Sequence, residues 1–379
     1  MKFLKKNNLH HFFLVLVFGF GLLVDLNPSI SYAQQVNTSR TVYLPLVARA
    51  PDSFSTNQKF LGIYMQQYWT DETVLQYMTQ ADNLAGKKHT VSGWFIAIED
   101  GHFNNPPSRI QDNNLYRQLE ALWQRGYISF VNINSSASAF SIAVGQFDRN
   151  IEKMAEVYAA WASLGGGRRA FLAPLPEMNG VNEDGKAWAT YGGDPGNFKI
   201  AYQRIQTIFS QKGVRAEQVW WVFAPNGWSK KGHEFETYYP VNSAVNAVGF
   251  SSYNYGHCFV AAPWQRWENF DTLFTPYLDR IRVMAPNKPI ILAQTGTTAE
   301  FSRTGENNIS QKNTWLKVNY QHLAQQPQVV GIIYYDFDLS AWECNWRILP
   351  GTTYSGYRDG AGDPAFRYLT HQDLRTMIP

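Results

Sequence analysis

Short runs of β-branched and aromatic residues recur from Phe60 onward, each followed by polar residues and then by a longer segment with helical periodicity. The runs are Phe60–Gln66, Val91–Ile98, Tyr127–Asn134, Ala170–Leu175, Gln218–Ala224, Ala247–Ser252, Pro289–Ala293 and Val329–Tyr335. The helical segments are Asp71–Leu84, Leu115–Trp123, Asn150–Ala162, Phe198–Phe209, Phe270–Met284, Lys312–Gln325 and Pro364–Met377. Eight strands alternating with helices predict an α/β fold, a single (β/α)8 TIM barrel.

One connection fits this pattern poorly, because the segment after the fifth run, Glu234–Tyr239, is short for a helix. A doubly wound open sheet is the alternative fold. It is disfavoured because no Gly-rich phosphate loop follows the first run. We therefore predict that residues 59–379 form one barrel domain.

The first 33 residues have the pattern of a secretory signal peptide. Three lysines precede an apolar run of 13 residues, Phe12 to Val24, and Ser31 and Ala33 supply the small residues of a cleavage site. The alternative is an uncleaved anchor, but a membrane-spanning helix needs about 20 apolar residues. We expect a secreted or cell-surface protein, with residues 34–58 as a tail rich in Ser, Thr, Asn and Pro.

The net charge and the aromatic content narrow the classes of molecule that the protein is expected to bind. The net charge of the full chain is +3, and the three Lys and one Asp before residue 34 account for two of those charges. So small a charge excludes the basic footprint of a nucleic-acid or membrane-surface protein. Aromatic residues make up 15% of the chain, and many lie in predicted loops, where they can dock the apolar faces of sugar rings. A large exported domain that binds no sugar can have the same aromatic content, so composition does not decide between the two. We expect the protein to be a monomer.

Cys258 and Cys344 are the only cysteines. In an exported protein they can form one disulfide between the loops after the sixth and eighth strands, provided that their Cα atoms lie within about 7 Å. Neither has metal-ligand spacing around it, and we expect no metal and no cofactor.

In a TIM barrel the chemistry lies on the loops that follow the strands. Polar and aromatic residues stand at most of these positions, although any strand must end in polar turn residues. They include Glu99, Asp100 and His102 after the second strand, Asn132 and Asn134 at the third, Glu177 and Asn179 after the fourth, Asn226 and Trp228 after the fifth, Tyr253 after the sixth, Gln294 after the seventh, and Asp336, Asp338 and Trp342 after the eighth. Glu177 follows an almost entirely apolar stretch. Such surroundings raise the pKa of a carboxyl, which suits a general acid.

The stretch from Leu175 to Gly180, which reads LPEMNG, resembles the acid/base motif of glycoside hydrolase family 26, whose members include mannanases and lichenase-type glucanases. The resemblance continues through 219–226, 248–253 and 288–293 and on to Arg347, and it covers most of the chain from Phe60. It implies a retaining hydrolase on a (β/α)8 barrel that acts on β-linked polysaccharide, with Glu177 as general acid/base. It also matches Tyr253 to the family's tyrosine near the nucleophile.

Two positions depart from the family pattern. Pro176 replaces the usual His, and Gln294 replaces the nucleophilic Glu. Retaining chemistry requires a second carboxylate about 5–5.5 Å from the acid, and an amide cannot supply it. Four explanations of Gln294 are open. Gln294 is an engineered substitution that traps the bound substrate, or the natural protein binds sugar without cleaving it. Otherwise another carboxylate (Asp336, Glu99 or Asp338) supplies the second function, or an N-acetyl group of the substrate attacks the anomeric carbon.

The sequence therefore predicts a hydrolase of mannan or β-glucan, with a catalytically silent carbohydrate-binding barrel as the main alternative. The expected site consists of two catalytic positions and six substrate contacts. These are Glu177 and Gln294, and then Tyr253, Asn226, Trp228, Asp336, Trp342 and His102.

Overall fold

Eight parallel strands close into a barrel, in which each strand pairs with its neighbours in sequence and the first pairs with the last. The strands are β1 Phe60–Tyr64, β2 Val91–Ala97, β3 Ile128–Asn134, β4 Ala170–Pro174, β5 Val219–Phe223, β6 Ala247–Asn254, β7 Ile290–Thr297 and β8 Val329–Tyr335. The predicted TIM barrel is confirmed. All eight predicted runs are strands.

The structure is a computed structural model that describes residues 57–65, 71–182, 184–258, 266–302, 306–340 and 344–378. The predicted signal peptide, nearly all of the predicted tail and the expected substrate contact Trp342 lie outside the described residues. Within them, no helix is long and apolar enough to cross a membrane.

Helices surround the barrel. They are α1 Asp71–Ala85, α2 Gly101–Asn104, α3 Asn114–Gln124, α4 Ala139–Ala143, α5 Asp148–Ala162, α6 Pro195–Gln211, α7 Phe270–Leu273, α8 Thr275–Met284, α9 Ile309–Ala324, α10 Ser355–Ala361 and α11 His371–Met377. The poorly fitting segment after β5 contains a 3₁₀ turn, Phe235–Tyr238.

Two predicted helices have different bounds in the structure. The segment Phe270–Met284 is broken at Phe274, because a proline occupies the first turn of α8 and the residues before it do not continue a helix. The segment predicted from Pro364 is helical only from His371. There the Thr370 side chain and Asp373 form a reciprocal capping box that starts α11.

Aromatic and branched side chains fill the barrel interior. The rings of Phe171 and Trp220 stack with centroids 4.7 Å apart, and Phe60 and Phe130 pack against Phe171. The indole N–H of Trp220 donates to the carbonyl of Ile378 (2.9 Å), just beyond α11. The amino-terminal end of the barrel is thereby covered, which leaves the carboxyl-terminal end as the place for a site.

β6 and β7 extend further toward this end than the apolar pattern indicates. Ser251, Tyr253 and Asn254 continue the ladder of β6 opposite Gln294, Gly296 and Thr297 of β7. Apart from Gly296, these residues are polar or aromatic. An apolar run therefore ends before the strand does.

Cys258 and Cys344 form a disulfide, with their Cα atoms 5.5 Å apart. The bond joins the loop after β6 to the loop after β8, on either side of the end of β7. It closes a covalent loop across a sequence separation of 86 residues.

Breaking this disulfide is expected to lower the free energy of unfolding by about 2–4 kcal/mol, because the unfolded chain regains the entropy of the open loop. Urea unfolding with and without reductant measures the effect. The Cys258→Ser, Cys344→Ser double variant is the control, since its midpoint should not respond to reductant. Equal midpoints for the oxidised and reduced wild type would contradict the prediction.

Candidate active site

The turn after β4 places Glu177 in the mouth of the barrel. Leu175 and Glu177 both have left-handed backbone conformations, with φ of 53° and 58°. The Glu177 N–H donates to the carbonyl of Ala224 beyond β5 (2.8 Å), and the Tyr191 hydroxyl donates to the carbonyl of Pro176 (2.9 Å). Two left-handed residues other than glycine in one short turn store strain, which proteins retain mainly at functional sites.

The loop after β5 and strand β6 supply the hydrogen-bond donors to the half-buried Glu177 carboxyl. The hydroxyl of Ser251 donates to Oε1, and the Asn226 side-chain amide donates to the same oxygen (3.4 Å). Burial raises the pKa of Glu177 above its ordinary value, and the two donors lower it by a smaller amount. The result is a carboxyl poised to carry a proton.

Gln294 lies beside this group. It is the register partner of Ser251 in the neighbouring strand, so both side chains point to the same side of the sheet. The hydroxyl of Tyr253 donates to Gln294 Oε1 (2.8 Å). The structure therefore brings Glu177, Asn226, Tyr253 and Gln294 together, with Ser251 between the two expected catalytic positions.

An aromatic wall continues from Tyr253. Its ring lies 5.1 Å from that of Trp346 and 5.5 Å from that of Tyr335. Tyr335 in turn stacks on Phe337 at 4.2 Å and meets Phe95 edge-on. Trp346 and Phe337 are buried, and the partly exposed rings of Tyr253, Tyr335 and Phe95 are the ones that can meet the C–H face of a sugar ring. The sequence analysis did not single out Phe95 or Tyr335, although the inward-facing period of β2 and β8 points to both.

Hydrogen bonds from buried side chains outside the barrel interior hold the segment after β8, which carries Trp346. Lys312, on α9, is buried and donates to the carbonyls of Trp346 (3.3 Å) and Arg347 (2.9 Å). The Tyr334 hydroxyl also donates to the Trp346 carbonyl (2.7 Å). Burial lowers the pKa of Lys312 to about 7, and the nearby Asp336 opposes this change. Lys312 thus fixes the segment after β8 that carries Trp346.

On the opposite side, Asn179 ties the loops after β4 and β5 together. Its fully buried side chain donates to the carbonyls of Asn226 (2.9 Å) and Trp228 (3.2 Å) and accepts from the Asn226 N–H (2.9 Å). The Trp228 side chain is 45% exposed, and its ring lies nearly parallel to that of Trp188, with centroids 6.1 Å apart. Both rings are thus fixed to the loops that carry Glu177 and Asn226.

Asp336 does not take the place expected for it. It is fully buried, and it accepts hydrogen bonds from the Tyr77 hydroxyl of α1 and from the backbone N–H groups of Ile348 and Leu349. Because side chains alternate along β8, Tyr335 faces the mouth while Asp336 faces the helices. The expectation that Asp336 contacts substrate or replaces the nucleophile is wrong. The carboxylate anchors the segment after β8.

The other two carboxylates considered for the second function organise loops. Glu99 accepts from the Ser135 hydroxyl (2.5 Å) and from the N–H groups of Ser136 and Ala137 (both 3.2 Å). Asp338 accepts from the hydroxyl and N–H of Ser340 (2.6 and 3.0 Å). In the described part of the chain, no carboxylate contributes to the pKa of Glu177.

His102 lies in α2, where its Nδ1 accepts from the Asn114 N–H at the start of α3 (3.2 Å). This contact joins two loops, whereas a substrate contact stays a prediction. Across the described ranges, no three His, Cys, Asp or Glu side chains are grouped to hold a metal ion.

No family model and no curated protein matches this sequence. Solved structures do match it in fold. One is the catalytic domain of a family 26 endo-β-1,4-mannanase from Bacillus sp. JAMB-750, with 13% identity, a TM-score of 0.58 and coverage of 85% of this chain and 90% of that one. Another is a family 26 β-mannanase from Bacteroides ovatus, with 11% identity, a TM-score of 0.57 and coverage of 85% and 93%.

A third is the β-mannanase of a protist symbiont of the termite Reticulitermes speratus, a structure complexed with gluco-manno-oligosaccharide. It has 10% identity and a TM-score of 0.54, and the match covers 86% of this chain and 91% of that one. At such identities the likeness concerns the fold. This chain has the fold of family 26 glycoside hydrolases.

Proposed function

We propose that this protein binds β-linked polysaccharide of the mannan or β-glucan type in the mouth of the barrel and hydrolyses its O-glycosyl bonds with Glu177 as general acid/base. The observation that carries the proposal is the placement of Glu177. It is held in a strained turn by donors from β6 and from the loop after β5, with a raised pKa, beside a wall of aromatic rings. The similar fold of several mannanases supports the substrate class.

In the proposed reaction, protonated Glu177 donates its proton to the glycosidic oxygen as the C–O bond breaks. The resulting carboxylate then takes a proton from the attacking water. Positive charge develops at the anomeric carbon, and there Gln294 offers only a neutral amide. We therefore expect slow turnover in the natural sequence.

A second candidate function is sugar binding without cleavage. It is favoured by Gln294 itself, whose Oε1 is held by the Tyr253 hydroxyl in the place where a retaining enzyme needs a carboxylate. The same aromatic wall and amide groups serve a binding protein equally well.

A depolymerisation and binding screen on mannan, mixed-linkage glucan and xylan tests both candidates, with Glu177→Gln as the matched control. Release of reducing ends that the control lacks supports hydrolysis. Retardation in polysaccharide gels without cleavage by any form supports the binding function. The proposal would be overturned if the protein cleaved none of the polymers and also bound none of them.

We also propose that the protein acts outside the cytoplasm, with residues 1–33 as its signal peptide. The Cys258–Cys344 disulfide supports this proposal, because such bonds persist in oxidising compartments.

A further inference from the structure

Ser251 lies where the ladder between β6 and β7 changes register. Phe250 pairs with Leu292, but Ser251 pairs with Gln294, so Ala293 is an extra residue on β7. Bulges of this kind re-aim side chains next to active sites. Here the bulge sets Ser251 directly beside Gln294, and the Ser251 side chain, on a residue only 2% exposed, reaches Glu177.

Both side-chain donors to Glu177 meet the same oxygen. Ser251 Oγ and Asn226 Nδ2 donate to Oε1, and among the described residues no hydrogen bond reaches Oε2. A proton on Oε1 would force the Ser251 hydroxyl to turn from donor to acceptor and would oppose the Asn226 amide, whereas Oε2 can take the proton with both hydrogen bonds kept. The arrangement therefore favours Oε2 as the protonated oxygen of Glu177.

We infer that Ser251 is a positioning residue for the acid: with Asn226 it holds Glu177 Oε1, so that Oε2 carries the proton delivered to the glycosidic oxygen. This inference rests on the proposed function of Glu177. Ser251 itself touches neither the leaving oxygen nor the anomeric carbon in this arrangement.

The surroundings of Glu177 allow the effect of Ser251 to be isolated. The titratable groups that interact with Glu177 are Tyr64 of β1 and Tyr191 of the loop after β4, and burial raises the pKa of both phenols further above the ordinary value for tyrosine, so both stay neutral during the titration of Glu177. Glu99 of the loop after β2 acts on Tyr191 as well. The β5 and β7 sides contribute the neutral amides of Asn226 and Gln294.

The test is the titration of Glu177 in the folded protein without glycan, followed by the ¹³C carboxyl signal that Glu177→Gln removes. A donor favours the ionised carboxylate, so its removal favours the protonated form. Ser251→Ala is therefore expected to raise the titration midpoint by about one pH unit. The alkaline limit of kcat/KM, measured in whichever form cleaves, should move upward equally.

Ser252→Ala is the matched control, because Ser252 is the next residue on β6 and donates to the Leu273 carbonyl (3.0 Å) on the opposite face. Ser251→Thr keeps a hydroxyl and should restore the wild-type midpoint. An unchanged midpoint in Ser251→Ala, or an equal shift in Ser252→Ala, overturns the inference. Absence of cleavage and glycan binding would instead overturn the proposed function, and it would leave the titration result standing.

Discussion

Replacing Gln294 by Glu is expected to raise the rate of polysaccharide cleavage on the order of a thousandfold or more. The new carboxylate would stand beside Ser251 and accept the Tyr253 hydroxyl that Gln294 Oε1 accepts now. It would supply what the site lacks, a nucleophile and a negative charge at the anomeric carbon. Reducing-end assays on mannan and mixed-linkage glucan measure the gain.

The same substitution has an electrostatic consequence. A second carboxylate close to Glu177 disfavours ionisation of Glu177, so the acid remains protonated to higher pH. The alkaline limit of activity in Gln294→Glu should therefore lie above that of any residual wild-type activity. Gln321→Glu adds the same charge on the exposed surface of α9 and is the control.

Two other outcomes would redirect the mechanism. If the natural sequence already cleaves well and Gln294→Glu adds nothing, another group supplies the second function, and Glu99→Gln is the next variant. If neither form cleaves but both bind glycan, the barrel is a binding protein.

The sequence was sufficient to predict the barrel because its signal is local. Each strand is a short apolar run, and the alternation with helices fixes the topology once right-handed crossovers are assumed. The ends of β6 and β7 could not be predicted in this way. Residues that face the mouth, such as Tyr253 and Gln294, are chosen for contacts inside it and not for apolar burial.

The site could be predicted only where a motif marks it. Glu177 stands out in its apolar stretch, but Ser251 is 74 residues away in sequence, and a bulge that no local pattern announces brings it to the carboxyl. For Asp336 the error is the opposite one, because the sequence indicates a site residue and the structure gives it a structural role. A carboxylate after a strand resembles a catalytic group until the donors from Tyr77 and Ile348 are seen.

Glu177→Ala is expected to lower cleavage by about 10²–10⁴-fold, the usual contribution of a general acid. The loss should be greatest for substrates with poor leaving groups, which depend on protonation of the departing oxygen. In the Gln294→Glu background, azide should partly rescue the loss with a good leaving group, because a small anion can occupy the space of the removed side chain. An alanine variant that cleaves as fast as its parent would exclude Glu177 as the acid.

Glu177→Gln separates chemistry from stability. Because burial raises the folded-state pKa of Glu177 above its unfolded value, the stability that this group contributes is present at low pH and is lost as pH rises through the raised pKa. Glu177→Gln cannot ionise, so it should become more stable than the wild type above that pKa while remaining inactive. Thermal unfolding of the two proteins between pH 4 and about pH 9 measures the difference. Parallel profiles would mean that Glu177 titrates as an ordinary exposed carboxyl, and an acid/base role at neutral pH would lose its physical basis.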